Sequence, residues 1–187
     1  MARGEETIGY PYQPYFCEEN VWRMCVEGTG AREGFSRYAL FVTNTNRTVA
    51  CWAQRACQEP DIPVVWDYHV VLLQRQENLA EIHDPDCLAG SPLAAADWLA
   101  ATFPKRSLVR SDYQPAFRVV EEHLFLAHFA SDRSHMRGAS GEWLAPIPAW
   151  DPPNAPAHNL DRWLDLAPGG HGTILDHDGL TRFISSG

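Results

Sequence analysis

No C-x-x-C pair, no H-E-x-x-H, no long basic run and no apolar stretch able to span a bilayer occur in this 187-residue chain. Each absence removes a class of function. The cysteines, at 17, 25, 51, 57 and 87, are odd in number, and their gaps support neither a disulfide framework nor a structural zinc site. Free thiols suit a reducing compartment. None of the histidines has metal-binding spacing, so metal catalysis is not expected. With 15 Lys and Arg against 24 Asp and Glu, the net charge of −9 leaves nothing to track phosphates, and nucleic acid is not the expected partner. The opening Met-Ala-Arg-Gly-Glu-Glu lacks the apolar core of a secretory signal. Together with the missing bilayer-spanning run, this points away from membranes and towards a cytoplasmic enzyme.

What is present reads as a folded globule. A 45% hydrophobic fraction with seven Trp argues against disorder, and the length fits one domain. Residues 1–16, rich in Pro, Tyr and Gly, read as an extended arm, with a single domain over 17–187. Apolar Val21, Trp22, Met24 and Cys25 give a short helix over 18–26, broken by Gly28, Gly30 and Gly34. Residues 37–43 and 48–53 read as a hairpin turning at 44–47. The apolar run 64–74 predicts a single central strand, with 79–83 its antiparallel partner across the turn 75–78. Further on, 92–102 reads as a helix with Pro92 in its first turn, 117–120 as a strand and 121–129 as a helix. The five prolines within 145–156 mark an extended loop. A helix capped by Asn159, a strand over 172–176 and a last helix capped by Asp178 complete the chain. The pattern is α+β, an antiparallel sheet flanked by helices.

Chemistry concentrates at Cys17, His69 and Asp84. A thiol at a helix start meets the positive end of the dipole and unpaired N–H groups, which favour the nucleophilic thiolate. His69 in the central strand and Asp84 at the end of its partner fall within cross-strand reach, about 5 Å. Nucleophile, base and orienting acid in that order are the parts of a cysteine hydrolase. Asp67 competes with Asp84 as partner for the histidine, and Asp86, the other acid of the turn, could equally cap or bind backbone amides. The other four cysteines read as small buried hydrophobes. Residues 130–136, Ala-Ser-Asp-Arg-Ser-His-Met, are either a loop closed by an internal Asp132–Arg133 pair or a wall of the site.

Three segments carry a resemblance: Cys17-Glu18-Glu19-Asn20-Val21-Trp22, Val65 to Leu73 (VWDYHVVLL) and Phe129 to Met136 (FASDRSHM). Together they resemble protein N-terminal glutamine amidohydrolases, the deamidases of the N-degron (N-end rule) pathway, in order along nearly the whole of residues 12–184. The resemblance implies a monomer with a papain-like or transglutaminase-like architecture and no cofactor. It implies a nucleophile at Cys17, a base at His69 and an orienting acid at Asp84. This chain departs from the family at His83-Asp84-Pro85-Asp86, which leaves Asp86 as the alternative acid. The implied reaction converts N-terminal Gln to Glu through a thioester, with release of ammonia. A free α-ammonium must also be recognised, and Glu18, Glu19, Asp67 and Asp132 are the expected contributors, since a buried ammonium without acceptors is costly. A cysteine peptidase, a transglutaminase-like enzyme and a non-catalytic binder of N-terminal Gln or Glu are the alternatives. If the source is eukaryotic, a nuclear location joins the cytoplasmic one.

Overall fold

The structure is a computed structural model describing residues 9–104 and 106–186. Residues 1–8 of the expected arm lie outside them. The described strands are β1 (Ser36–Thr43), β2 (Val49–Cys51), β3 (Val64–Trp66), β4 (His69–Gln76), β5 (Leu79–His83), β6 (Leu93–Ala94), β7 (Ala116–Glu121) and β8 (Thr173–Leu175). The α-helices are α1 (Cys17–Glu27), α2 (Ala95–Thr102), α3 (Glu122–His128), α4 (Leu160–Leu164) and α5 (His177–Ser185). Six strands form one sheet in the order β6-β5-β4-β1-β7-β8, and β2 pairs with β3 apart from it. Every pairing is antiparallel, so the chain is α+β as expected.

Both faces of the sheet are covered, which explains why β4 reads as continuously apolar rather than alternating. Val71 and Leu73 of β4, with Leu40 and Val42 of β1, pack against Trp98 and Leu99 of α2 and Leu180 and Ile184 of α5. Their alternates Val70, Leu72, Ala39 and Phe41 meet Val21 and Met24 of α1, Phe125 of α3 and Trp163 of α4. Leu72 is fully buried in this second core, and Leu72→Ala would cost about 2–5 kcal/mol. Such packing fixes α1 across β4 and holds the first residues of both elements in place. At its far end α1 stops at Gly28, whose φ of +63° lets Gly28 and Thr29 donate back to Cys25 and Met24.

Five local expectations are corrected. The hairpin 37–43/48–53 does not form, because both edges of β1 are taken by β4 and β7, leaving β2 to pair with β3. Asn44 closes the connection instead, accepting from the N–H groups of Asn46 and Thr48. The single strand 64–74 is broken at Asp67, whose Oδ1 accepts the Tyr68 N–H at 3.0 Å and withdraws it from any ladder. His69 therefore opens β4 rather than sitting mid-strand. Helix α2 begins at Ala95, beyond Pro92, because Leu93 and Ala94 pair with β5. Asp176, not Asp178, caps α5 by accepting from Gly179 N–H at 2.7 Å. Asn159 precedes α4 without a side-chain cap; its amide ties His128, Ala130 and Trp163 together.

Candidate active site

Cys17 is the first residue of α1, placed by two neighbouring anchors. Phe16 is fully buried, and its carbonyl accepts from Asn20 N–H to close the first turn. The Asn20 side chain accepts from Gln13 N–H at 2.8 Å and donates to Gln13 O at 3.0 Å, fastening residues 9–16 to the helix. Cys17 is half-buried and opens onto a cavity of about 510 Å³. His69, Trp66, Asp67, Asp86, Tyr12 and His135 also line it.

The imidazole of His69 is buried and stacked on Trp66 at 6.3 Å between ring centroids. Its Nε2 lies 3.0 Å from Asp84 Oδ1, which leaves Nδ1 as the nitrogen available to the cavity. Asp84 follows β5 directly and is fully buried. Trp98 Nε1 donates to it at 2.9 Å, Gln54 Nε2 at 3.4 Å and the backbone N–H of Asp86 at 3.1 Å. Burial alone would raise the Asp84 carboxyl. His69, with Trp98 and Gln54, outweighs burial and holds it below the ordinary carboxylate value. For His69 the balance is the mirror image. Burial opposes protonation, but Asp84, with Asp86 and Glu18 farther off, lifts the imidazole above its usual value.

Cys17 departs from the expectation drawn from its helix start. Burial, and then the Glu18 carboxylate with Oε2 3.6 Å from the sulfur, push the thiol well above its ordinary value. A hydrogen bond from the Val70 backbone works in the opposite direction. A helix start lowers a thiol that stays solvated, whereas Cys17 is raised by burial and by the acid beside it. Such a thiol needs a local base to become a nucleophile, and the cavity holds an imidazole.

The four acids expected at the substrate are distributed differently. Asp67 lines the cavity. Glu18 is fully buried behind it, accepting from Tyr68 Oη at 3.1 Å and ion-paired with His135 Nε2 at 3.2 Å. Glu19, also fully buried, is gripped by Arg133 through two bonds of 2.8 and 2.7 Å, with Trp150 Nε1 at 3.0 Å. Asp132 is exposed, accepts from Ser134 N–H and approaches His158 at 3.2 Å. Residues 130–136 thus form a wall through His135 and Met136. The Arg133 guanidinium pairs with Glu19 rather than with Asp132.

Several participants left no trace in local sequence. Trp98, Gln54, Arg133 and Trp150 reach their carboxylates from 14, 30, 114 and 131 residues away. Among the described residues, one group has donor atoms close enough to hold a metal ion: His69, Asp84 and Asp86, within 4.8 Å of one another. His69 and Asp84 already bind each other there, and Asp86 accepts from Tyr12.

Residues 12–184 match the family described as N-terminal glutamine amidase. The chain belongs to this family. It is similar to the protein N-terminal glutamine amidohydrolase of Arabidopsis thaliana, 32% identical with 96% of this chain and 86% of that protein covered. The proteins of the same name in Drosophila mojavensis and Drosophila melanogaster are each 34% identical. They cover 92% and 94% of this chain and 86% and 87% of their own lengths. The family match begins at Tyr12 and so takes in the part of the arm that lines the cavity. None of the described helices is long and apolar enough to cross a membrane.

Proposed function

We propose that this chain is a hydrolase that deamidates the side chain of N-terminal Gln in proteins or peptides, giving Glu and ammonia. One observation carries the reading: Cys17 and His69 open onto one cavity, and Asp84 holds the imidazole nitrogen turned away from it. That arrangement, in a chain whose relatives bear the name above, supports a Cys17-His69-Asp84 triad of the papain-like or transglutaminase-like kind.

His69 takes the Cys17 proton through Nδ1, and the sulfur attacks the carboxamide carbon. Asp84 fixes the ring and stabilises the imidazolium. The backbone N–H of Cys17, unpaired at a helix start, is a donor for the developing oxyanion. His69 returns the proton to the departing ammonia, leaving a thioester. It then takes a proton from water as the water attacks that thioester, which releases Glu and restores the thiol. Side chains supply every proton transfer. Asp67 on the wall and Glu18 behind it contribute negative potential that favours a cationic N-terminus. Glu19 acts through the wall that it anchors, and Asp132 through His158. We read residues 17–187 as one catalytic domain with 1–16 as its arm, acting as a cytoplasmic monomer in an N-degron pathway.

The test is mass spectrometry of a short peptide with free N-terminal Gln, incubated with the protein and with Cys17→Ala. An N-acetylated twin and an internal-Gln peptide run alongside. A gain of one mass unit on the free peptide alone, lost with Cys17→Ala, is the expected result. Cleavage or internal modification would transfer the protein to the peptidase or transglutaminase class.

A further inference from the structure

The Asp84-Pro85-Asp86 turn places two carboxylates beside His69, and the mechanism uses one. Asp84 lies beneath the imidazole, buried and accepting from His69, Trp98, Gln54 and the Asp86 backbone. Asp86 is half-buried on the cavity wall, with a carboxylate oxygen within 4.8 Å of a His69 ring nitrogen. Its side chain accepts from Tyr12 Oη at 2.6 Å, a short bond that fixes the carboxylate from the arm side. The other acids on the cavity are less suited to hold a cation near the sulfur. Asp161 pairs with Arg47 at 2.9 Å, and Asp67 is exposed with Oδ1 turned to its neighbour's N–H.

A glutamine whose carboxamide reaches Cys17 must leave its α-ammonium a few ångströms away, inside the same cavity. An ammonium there without an acceptor is strongly disfavoured. We infer that Asp86, braced by Tyr12, receives the α-ammonium of the substrate and so makes the enzyme read a free N-terminus. This rests on the deamidase reading above. Charge balance agrees with it. Burial keeps the Asp86 carboxyl above its ordinary value, and His69, the Tyr12 hydroxyl and Arg55 offset this only in part. A bound ammonium supplies the missing short-range cation. The same contact lets the arm take part in recognition, since Tyr12 belongs to it.

The experiment compares two peptides, one with N-terminal Gln and one in which that residue lacks its α-amine but keeps the carboxamide. Ammonia release is measured for the protein, Asp86→Asn and Tyr12→Phe, with iodoacetamide alkylation of Cys17 as the control for an intact site. Asp86→Asn is expected to lower kcat/KM on the free-amine peptide at least tenfold more than on the amine-less one, mainly through KM. Tyr12→Phe should move the same ratio in the same direction by a smaller factor. Equal losses on both peptides would make Asp86 a partner of His69 and overturn the assignment. So would no loss on either. If the unaltered protein releases no ammonia from the free-amine peptide, the deamidase reading itself fails and takes this inference with it. Ammonia from the unaltered protein with an unmoved ratio in Asp86→Asn would sink the inference alone.

Discussion

Two fully buried carboxylates of this chain are built alike but hold different cations. Asp84, on the sheet side, holds His69 and accepts an indole N–H from Trp98. Glu19, on the loop side, holds Arg133 and accepts an indole N–H from Trp150. Both are fully buried, and in each the neighbouring cation offsets the cost of taking a carboxylate out of water. The difference lies in the cation. An imidazole takes up and releases a proton near neutral pH, so in the mechanism proposed above the Asp84 nest passes one to and from Cys17. A guanidinium stays charged, so the Glu19 nest can only hold, and what it holds is the loop carrying His135 against α1. The local motif is the same in both; only the Asp84 nest holds a partner that titrates near neutral pH.

The sharpest way to break this comparison is to neutralise each acid. Asp84→Asn should lower kcat by roughly 10³–10⁴-fold, by analogy with a triad acid made an amide, in a protein that still folds. Glu19→Gln leaves Arg133 buried and unpaired and should cost about 3–5 kcal/mol in urea unfolding. Its turnover, measured well below the unfolding midpoint, should stay within about tenfold of the unaltered protein. If Glu19→Gln abolished turnover at unchanged stability, the holding role would be wrong.

The indoles test the same contrast more gently. Trp98→Phe and Trp150→Phe each leave a carboxylate short of one donor and should each cost about 1–3 kcal/mol. Only Trp98→Phe should also lower kcat, because only that nest sets the basicity of an imidazole.

Titration separates the nests without mutation. The Asp84 carboxyl is depressed in the fold, so its contribution to stability is present above the ordinary carboxylate value of about 3.9 and lost as pH falls through the lower folded value. The His69 imidazole is raised, so its contribution is present below about 6.5 and lost as pH rises through the higher folded value. Urea unfolding across pH should show both edges, and His69→Gln should remove the upper one. The smallest effect is on Cys17. Glu18 raises the thiol, so Glu18→Gln should move the pH profile of iodoacetamide alkylation to lower pH. A profile that moved upward would mean that the Glu18 charge is not felt at the sulfur.

Local sequence made the elements legible where one face or both had to be apolar: α1, β1, β5, β7 and α3 stand close to where their residue patterns put them. It failed where a side chain competed with the backbone. Asp67 breaks the run 64–74 by capturing a single N–H, and Asn44 closes with its side chain a connection expected to be a hairpin turn. Partnership was equally hidden. The pattern of β1 says that it is a strand, but not that both its edges are occupied. At the site, a cysteine at a helix start and a histidine one strand away from the acids of the turn 84–86 were legible in residue type and pattern, whereas the direction of the thiol's shift was not. That direction depends on burial and on a carboxylate adjacent in sequence whose orientation only the packed helix defines.

The sequence by itself determined the inventory: a single apolar-rich α+β chain, one cysteine at a helix start, one histidine on the central strand and acids in the turn after its partner. Residue type and period carry that information, and neither depends on distant parts of the chain. Tertiary structure alone decided which acid of the turn faces His69 and which faces the cavity. It also decided which indole and amide finish the Asp84 nest, and that Arg133 turns to Glu19 rather than to Asp132. Those choices are made between groups far apart in the chain, and in a dry interior each buried charge must find its partner wherever the fold has brought one.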